Sequence, residues 1–338
     1  MTEPATPRAA AAASLLARTR AAVEPVLRDA VASLPGRMRL VAGYQLAWWD
    51  EHGIPIDASP GKALRPALVL AAARATGGDD TMALPAAAAV ELVHNFTLLH
   101  DDVMDRDELR RHRPTAWRVF GVNDALLAGD ALHALAFRIL ADAAASVRLA
   151  ACVIELCEGQ HADCAYEIDS TVTLADCVTM AEAKTGALLG CSAALGAHAA
   201  AAPQHRVVQL DAFGRRLGLA FQITDDLLGI WGDPERTGKP AGADLAVRKK
   251  SLPVVAALRS GTPAGEHLRT AYAADSGATP AELATLVEAA GGRSWARTQT
   301  ARHREEALAL LHHAVPDSKE AADLLMLAYQ LTEHSRES

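Results

Sequence analysis

The stretch ELVHNFTLLHDDVMDRDELRRHRPT, from Glu91 to Thr115, decides the reading of the whole chain. Leu92, Val93, Phe96, Leu99 and Val103 recur at helical spacing, which predicts one helix from Glu91 to about Asp107. On such a helix Asp101 and Asp105 share a face, and His94, two turns earlier, points the same way. Two carboxylates on one face repel unless a positive group lies between them. A hard cation with oxygen ligands relieves that repulsion, and Mg²⁺ is the natural candidate. Mg²⁺ held by one or two carboxylates keeps coordination positions for water and phosphate oxygens. Arg110 and Arg111 follow at the same end, and the guanidinium fork suits phosphate. The stretch therefore predicts a metal-bridged phosphate or diphosphate site. The plain alternative is a solvated acidic helix end, which a second acidic cluster far along the chain makes weaker.

That second cluster is Asp225-Asp226, at the end of a helix expected from about Val207 to Leu228 and stopped by Gly229. A Gly/Pro-rich loop follows, with Lys239, Lys249 and Lys250 on or after it. Ser251 reads as the N-cap of a new helix, with Pro253 just inside. Between the clusters, Lys184-Thr185-Gly186 interrupts an otherwise apolar helix, Met180 to Leu195. A lysine there either snorkels to solvent or reaches into a polar pocket. Gln160, Asp163 and Glu167 give the preceding helix one polar face, open to either a cavity or water.

Upstream, HGIPIDASPGKALRP reads as a loop running into a helix. Lys62 and Arg65 face one way at that helix start, as an anion would need. Helices are expected over Ser14–Leu34, Met38–Trp49 and Ala67–Thr76, and Pro85 should open the helix leading into the central stretch. Residues 1–13 read as a flexible tail, and 14–338 as a single all-α domain.

Composition agrees with that class. Half the residues are hydrophobic and only 4% are aromatic, so the core is built from Ala, Leu and Val. A net charge of −8 argues against nucleic acid as a partner. The five cysteines form no CxxC pair and read as reduced thiols, which points to a cytoplasmic setting. No apolar run reaches the ~18–20 residues of a bilayer span, so no transmembrane segment is expected.

The blocks GKALRP, HNFTLLHDDVMD, RRHRPT, GQHAD, KTGAL, FQITDD, TGKP and KKSLP, in this order, resemble the trans-isoprenyl diphosphate synthases of the polyprenyl synthetase family. Roughly Ile54 to Leu258 is covered. The resemblance implies one large bundle of antiparallel helices around a central cavity, three Mg²⁺ ions and a homodimer. It implies head-to-tail condensation of isopentenyl diphosphate with an allylic diphosphate. By motif, Asp101, Asp102, Asp105, Asp225 and Asp226 become metal ligands. Arg110, Lys184 with Thr185, Lys239 and Lys249 become contacts to the allylic diphosphate. Lys62, Arg65, His94 and Arg111 become the isopentenyl diphosphate site, with Gln222 near the diphosphates.

Two positions depart from the family pattern. Gly229 stands where many members have a third aspartate, and Ala63 where a basic residue is usual. Phe96 and Thr97 lie about 6–7.5 Å deeper along the helix than Asp101. In resembling enzymes that level is the floor that stops product growth. A bulky Phe96 beside Thr97 implies a C20 product, geranylgeranyl diphosphate, with C15 next. The competing functions are a class I terpene cyclase, which needs no second diphosphate pocket, and a non-catalytic subunit of a synthase.

Overall fold

The computed structural model describes residues 7–58, 61–169, 171–233, 241–272 and 276–332. In chain order its helices are α1 (Pro7–Ala32), α2 (Gly36–Gln45), α3 (Leu64–Ala75), α4 (Asp80–Met104), α5 (Ala116–Phe120), α6 (Val122–Ile139), α7 (Ala143–Ile168) and α8 (Leu174–Ala181). A π-helical turn, Glu182–Gly186, leads into α9 (Ala187–Ala199) and α10 (Gln204–Trp231). Then come α11 (Ala243–Ala246), α12 (Leu252–Leu258), α13 (Pro263–Ala271), α14 (Pro280–Ala289), α15 (Gly292–Ala314) and α16 (Ala322–Thr332). The one sheet among the described residues is a ribbon of β1 (Leu109–Arg110) and β2 (Arg113–Pro114). The chain is all-α, as its composition implies.

Contacts divide the chain into two compact units. The first gathers Met1–Ile154, Leu188–Gly214 and Leu310–Leu327. Its centre is α4, which packs chiefly on α6 and α3. The α4 face is mostly alanine: Ala83, Ala86, Ala87, Ala88 and Ala89 are buried with Val90, Leu92, Val93 and Leu99. Small side chains let backbones approach closely. At Gly196 of α9 an added Cβ would lie 2.1 Å from the Val69 carbonyl oxygen of α3, so that crossing requires glycine. The second unit gathers Glu155–Ala187, Arg215–Ala309 and Ala328–Ser338. Two clusters form its core, one around Leu219, Ile223, Leu227 and Leu252, the other around Ile230, Leu245, Val254 and Leu268.

Several expected boundaries move, each for a local reason. Helix α1 begins at Pro7 and takes in Ala9–Ala13, where a flexible tail was expected. Alanine is the best helix former, and Ala12 is buried. The α2 helix stops at Gln45, because Trp49 folds back to donate its indole N–H to the Leu40 carbonyl. Pro85 does not open α4: Asp79 caps it, accepting from the Met82 N–H at 3.1 Å, and Pro85 sits inside. Gly229 does not stop α10, which runs on to Trp231. Contrary to the expectation from apolar runs, α4 is long and apolar enough to cross a membrane. Yet 61% of its most apolar window is buried within the protein, and Glu91 and Asn95 are among its buried residues, as befits a core helix.

Candidate active site

The first acidic motif closes α4. Asp105 is the C-cap residue, and its N–H donates to the Asp101 carbonyl at 2.8 Å, which keeps both carboxylates on one face. Asp101 is half-buried and Asp105 exposed. Asp102 is different: it is 1% exposed and accepts from Arg110 Nε at 2.6 Å. Burial pushes its carboxyl up and the Arg110 guanidinium pulls it back, while the Asp102 carboxylate holds Arg110 above its ordinary value against its own burial. Asp107 lies 3.7 Å from the same guanidinium.

The RRHRP segment is a two-residue hairpin rather than a helical extension. Arg111 and His112 form its tip with φ of 51° and 63°, the left-handed pair a tight hairpin demands. Neither is glycine, so the tip is strained, as functional loops often are. Arg113 is structural: it donates to the carbonyls of Tyr44 and Trp49 and lies 4.2 Å from the Tyr44 ring centroid. Thr115 and Trp117 both donate to the Asp107 carbonyl and pin the hairpin's base.

A cationic cluster stands beside this motif in the same unit. His94 is held well below its ordinary value by burial, then by Arg65, Arg111 and Arg110. Three arginines thus lie within electrostatic reach of one imidazole, which stays neutral and can donate an N–H but carries no charge. Toward an anion, His94 could therefore serve as a neutral N–H donor and not as a cation. A lowered histidine means that the unfolded chain binds a proton which the native chain refuses. Stability contributed by His94 is therefore present at neutral pH and lost as pH falls below about 6.5. Urea unfolding between about pH 5.5 and about 7.5 should show that acid slope in the parent and a shallower one in His94→Asn. Equal slopes would refute the assignment. Lys62 is exposed, and Arg65 and Arg111 flank the buried Glu91, whose carboxyl is raised by burial against the pull of both.

In the second unit the π-turn carries Lys184 and Thr185. Such turns insert an extra residue and re-aim side chains, commonly at functional sites. It is packed tightly: a Cβ at Gly159 would lie 2.5 Å from the Lys184 backbone nitrogen, and one at Gly186 would lie 3.1 Å from the Arg215 carbonyl. Lys184 donates to Asp163, so the polar face of α7 meets this turn. Thr185 donates to Gln222 Oε1 at 2.7 Å, and Gln222 Nε2 donates to Asp226 Oδ1 at 2.9 Å. The other Asp226 oxygen accepts the Leu252 N–H at 2.9 Å. Ser251, the expected N-cap of α12, makes no capping bond; Asp226 caps that helix instead. Burial pushes the Asp226 carboxyl up to about 6.

The same division therefore occurs in both acidic pairs. Asp102 and Asp226, expected as metal ligands, are turned into the protein and bonded to it; Asp101, Asp105 and Asp225 are the half-buried or exposed members. Thr185 and Gln222, expected at the substrate, are likewise committed to the Asp226 chain. Gly229 has a clear use. A Cβ there would lie 2.1 Å from Asp244 Oδ2, so the carboxylate of Asp244 from α11 fills the place on the Asp225 face where a third aspartate would stand. Asp233 lies past the end of α10. Among the described residues no three His, Cys, Asp or Glu side chains form a ready cage for a metal ion. An all-oxygen donor set with two carboxylates on one helix face still fits Mg²⁺, which completes its shell with water and phosphate.

The chain matches the polyprenyl synthetase family model over residues 51–290. The chain belongs to the polyprenyl synthetase family. It is 48% identical to the geranylgeranyl diphosphate synthase of Mycobacterium tuberculosis H37Rv, over 93% of this chain and 92% of that protein. It is 44% identical to the (2E,6E)-farnesyl diphosphate synthase of the same organism, over 92% and 90%. A polyprenyl synthetase structure from Streptomyces coelicolor A3(2) superposes with a TM-score of 0.90 at 43% identity, covering 94% of this chain and 98% of that one. The chain is accordingly a trans-prenyltransferase.

The expected site residues of this polyprenyl synthetase divide between the two units. Lys62, Arg65, His94, Phe96, Thr97, Asp101, Asp105, Arg110 and Arg111 all lie in the first unit; Lys184, Asp225 and Lys249 lie in the second. Lys239 lies outside the described residues. Sequence reasoning missed Asp244, because contact with Gly229 is made across a loop. It also missed His133 and Phe137 of α6. Phe96 packs on His133 at 5.0 Å between ring centroids, and His133 on Phe137 at 5.1 Å. Their four-residue spacing on α6 was the available signal.

Proposed function

We propose that this prenyltransferase joins isopentenyl diphosphate head-to-tail to an allylic diphosphate and releases a C20 product. The observation that carries the reading is the cluster of Arg65 and Arg111 around neutral His94, beside the acidic end of α4, with Lys62 three residues before Arg65. One diphosphate can be bound through carboxylate-held metal, but a cationic cluster beside it provides for a second. A cyclase that takes one diphosphate has no use for both.

Asp101 and Asp105 of the first unit, and Asp225 of the second, would supply carboxylate ligands to Mg²⁺, three ions by the family expectation. When bound, the metal neutralises charge on the leaving diphosphate. Arg110, Lys184, Lys239 and Lys249 contact the allylic diphosphate as its carbon–oxygen bond breaks. Arg110 and Lys184 come to this task already held by Asp102 and Asp163. Lys62, Arg65 and Arg111 grip isopentenyl diphosphate as point charges and forks, and His94 adds a neutral N–H. The new carbon–carbon bond forms at the allylic carbon, and one proton and one diphosphate leave. Phe96, backed by His133 and Phe137, limits the tail.

Incubation with Mg²⁺, isopentenyl diphosphate and each allylic primer in turn, followed by sizing of the dephosphorylated products, tests the proposal. A C20 alcohol from every primer is expected. Hydrocarbon or alcohol formed from the prenyl diphosphate alone would make the chain a cyclase. Phe96→Ala should lengthen the product by one or more C5 units; an unchanged distribution would make Phe96 a core residue only.

A further inference from the structure

Arg20 lies on α1, outside every motif and 41 residues before Gly61. Its Nη2 donates to the Gly61 carbonyl at 2.5 Å. Gly61 precedes Lys62 and has a φ of 106°, and Ala63 just after it is also left-handed, at 51°. A turn with two such residues is held by its surroundings rather than by its own preference. Gly61 is gripped from two sides. Arg20 takes its carbonyl, and an added Cβ would lie 2.5 Å from the Arg111 guanidinium. The Nε of Arg20 is buried without a hydrogen-bond partner, so the side chain is kept in place at a desolvation cost that the Gly61 bond must offset. The buried carboxylate of Glu91 lies within electrostatic reach of Arg20, Arg65 and Arg111. Beside the turn is a small cavity of about 30 Å³ bounded by Arg20, Glu91, Gly61, Ala63, Leu27 and Trp48.

We propose that Arg20 is a positioning residue, which sets the Gly61–Arg65 turn so that Lys62 and Arg65 meet isopentenyl diphosphate. It touches no substrate and acts through the backbone. The inference rests on the assignment of Lys62 and Arg65 to that substrate.

Steady-state kinetics of the full chain with both substrates varied, and calorimetric titration with isopentenyl diphosphate, test it on Arg20→Met and Arg20→Lys. In Arg20→Met the KM for isopentenyl diphosphate should rise about tenfold, the effect of losing one charge-assisted hydrogen bond. The allylic KM should stay within about twofold, and kcat at saturation should hold. Arg20→Lys keeps a charged donor of shorter reach and should fall between. The unchanged allylic KM reports that the variant is folded. Equal rises in both KM values, or none in either, would overturn the inference. If Lys62→Ala weakens isopentenyl diphosphate and Arg20→Met does not, the substrate assignment stands and the role of Arg20 falls. A parent that does not bind isopentenyl diphosphate overturns the assignment and takes this inference with it.

Discussion

Replacing Asp225 by asparagine will cut turnover by about 10³-fold and change stability by less than about 0.5 kcal/mol. The two halves of this expectation have separate causes. Asp225 is exposed on α10, six residues before its end and on the face that Gly229 leaves open to Asp244. Asparagine keeps its size and its helix but loses the charge that, on the proposed function, would hold a hard cation. Several kcal/mol of transition-state stabilisation go with that charge, which sets the 10³-fold scale. Nothing in the core moves, because the side chain is not part of the core. Asp101→Asn and Asp105→Asn belong to the same class. Turnover at fixed substrate, with Mg²⁺ varied over a wide range, is the measurement, with thermal unfolding alongside. Retained turnover at ordinary Mg²⁺ would remove Asp225 from the metal ligands. Lost turnover together with a lower melting temperature would make it a structural residue.

The sequence made the fold and the outline of the site legible because helical period and local spacing carry them. Asp101 and Asp105 are one helical turn apart, so their shared face needs no tertiary information. Lys184 stood out as a charge in an apolar run. What was not legible depends on contacts between distant residues. The inward turn of Asp102 and Asp226 follows from partners eight and 26 residues away. Both are the second letter of a DD pair, and the pattern alone treats the two letters alike. On a helix they differ by ~100°, which sends one out and the other in. Gly229 reads as a helix stop in the sequence because glycine is a poor helix former. Its use, making room for Asp244, is visible only once α11 is placed. Arg20 carried no local signal at all, since its partner is a backbone carbonyl of another segment.

Asp226→Ala will destabilise the protein by about 3 kcal/mol. Asp226 is 4% exposed and joins three pieces of the second unit: Gln222 on its own helix, the first N–H of α12, and through Gln222 the hydroxyl of Thr185 on the π-turn. Alanine leaves the Leu252 N–H buried without an acceptor, at about 1–3 kcal/mol, and takes the acceptor from the half-buried Gln222 amide at a smaller cost. Removing a buried carboxylate returns part of its desolvation cost, so the net lies below the sum. Asp226→Asn keeps an oxygen for Leu252 and should cost less. The pH dependence separates the charge from the hydrogen bonds. With the folded value at about 6 and the ordinary value at 3.8, the native state binds the proton that the unfolded state has released. The stability this group contributes is full below the ordinary value and is lost as pH rises through about 6. Asparagine cannot titrate, so the stability gap between parent and Asp226→Asn should be widest near pH 4 and narrow toward pH 7. Chemical denaturation across that range reads it directly. A gap that widens as pH rises would mean that the buried carboxylate is stabilised as the anion, with Lys249 rather than burial dominating its environment.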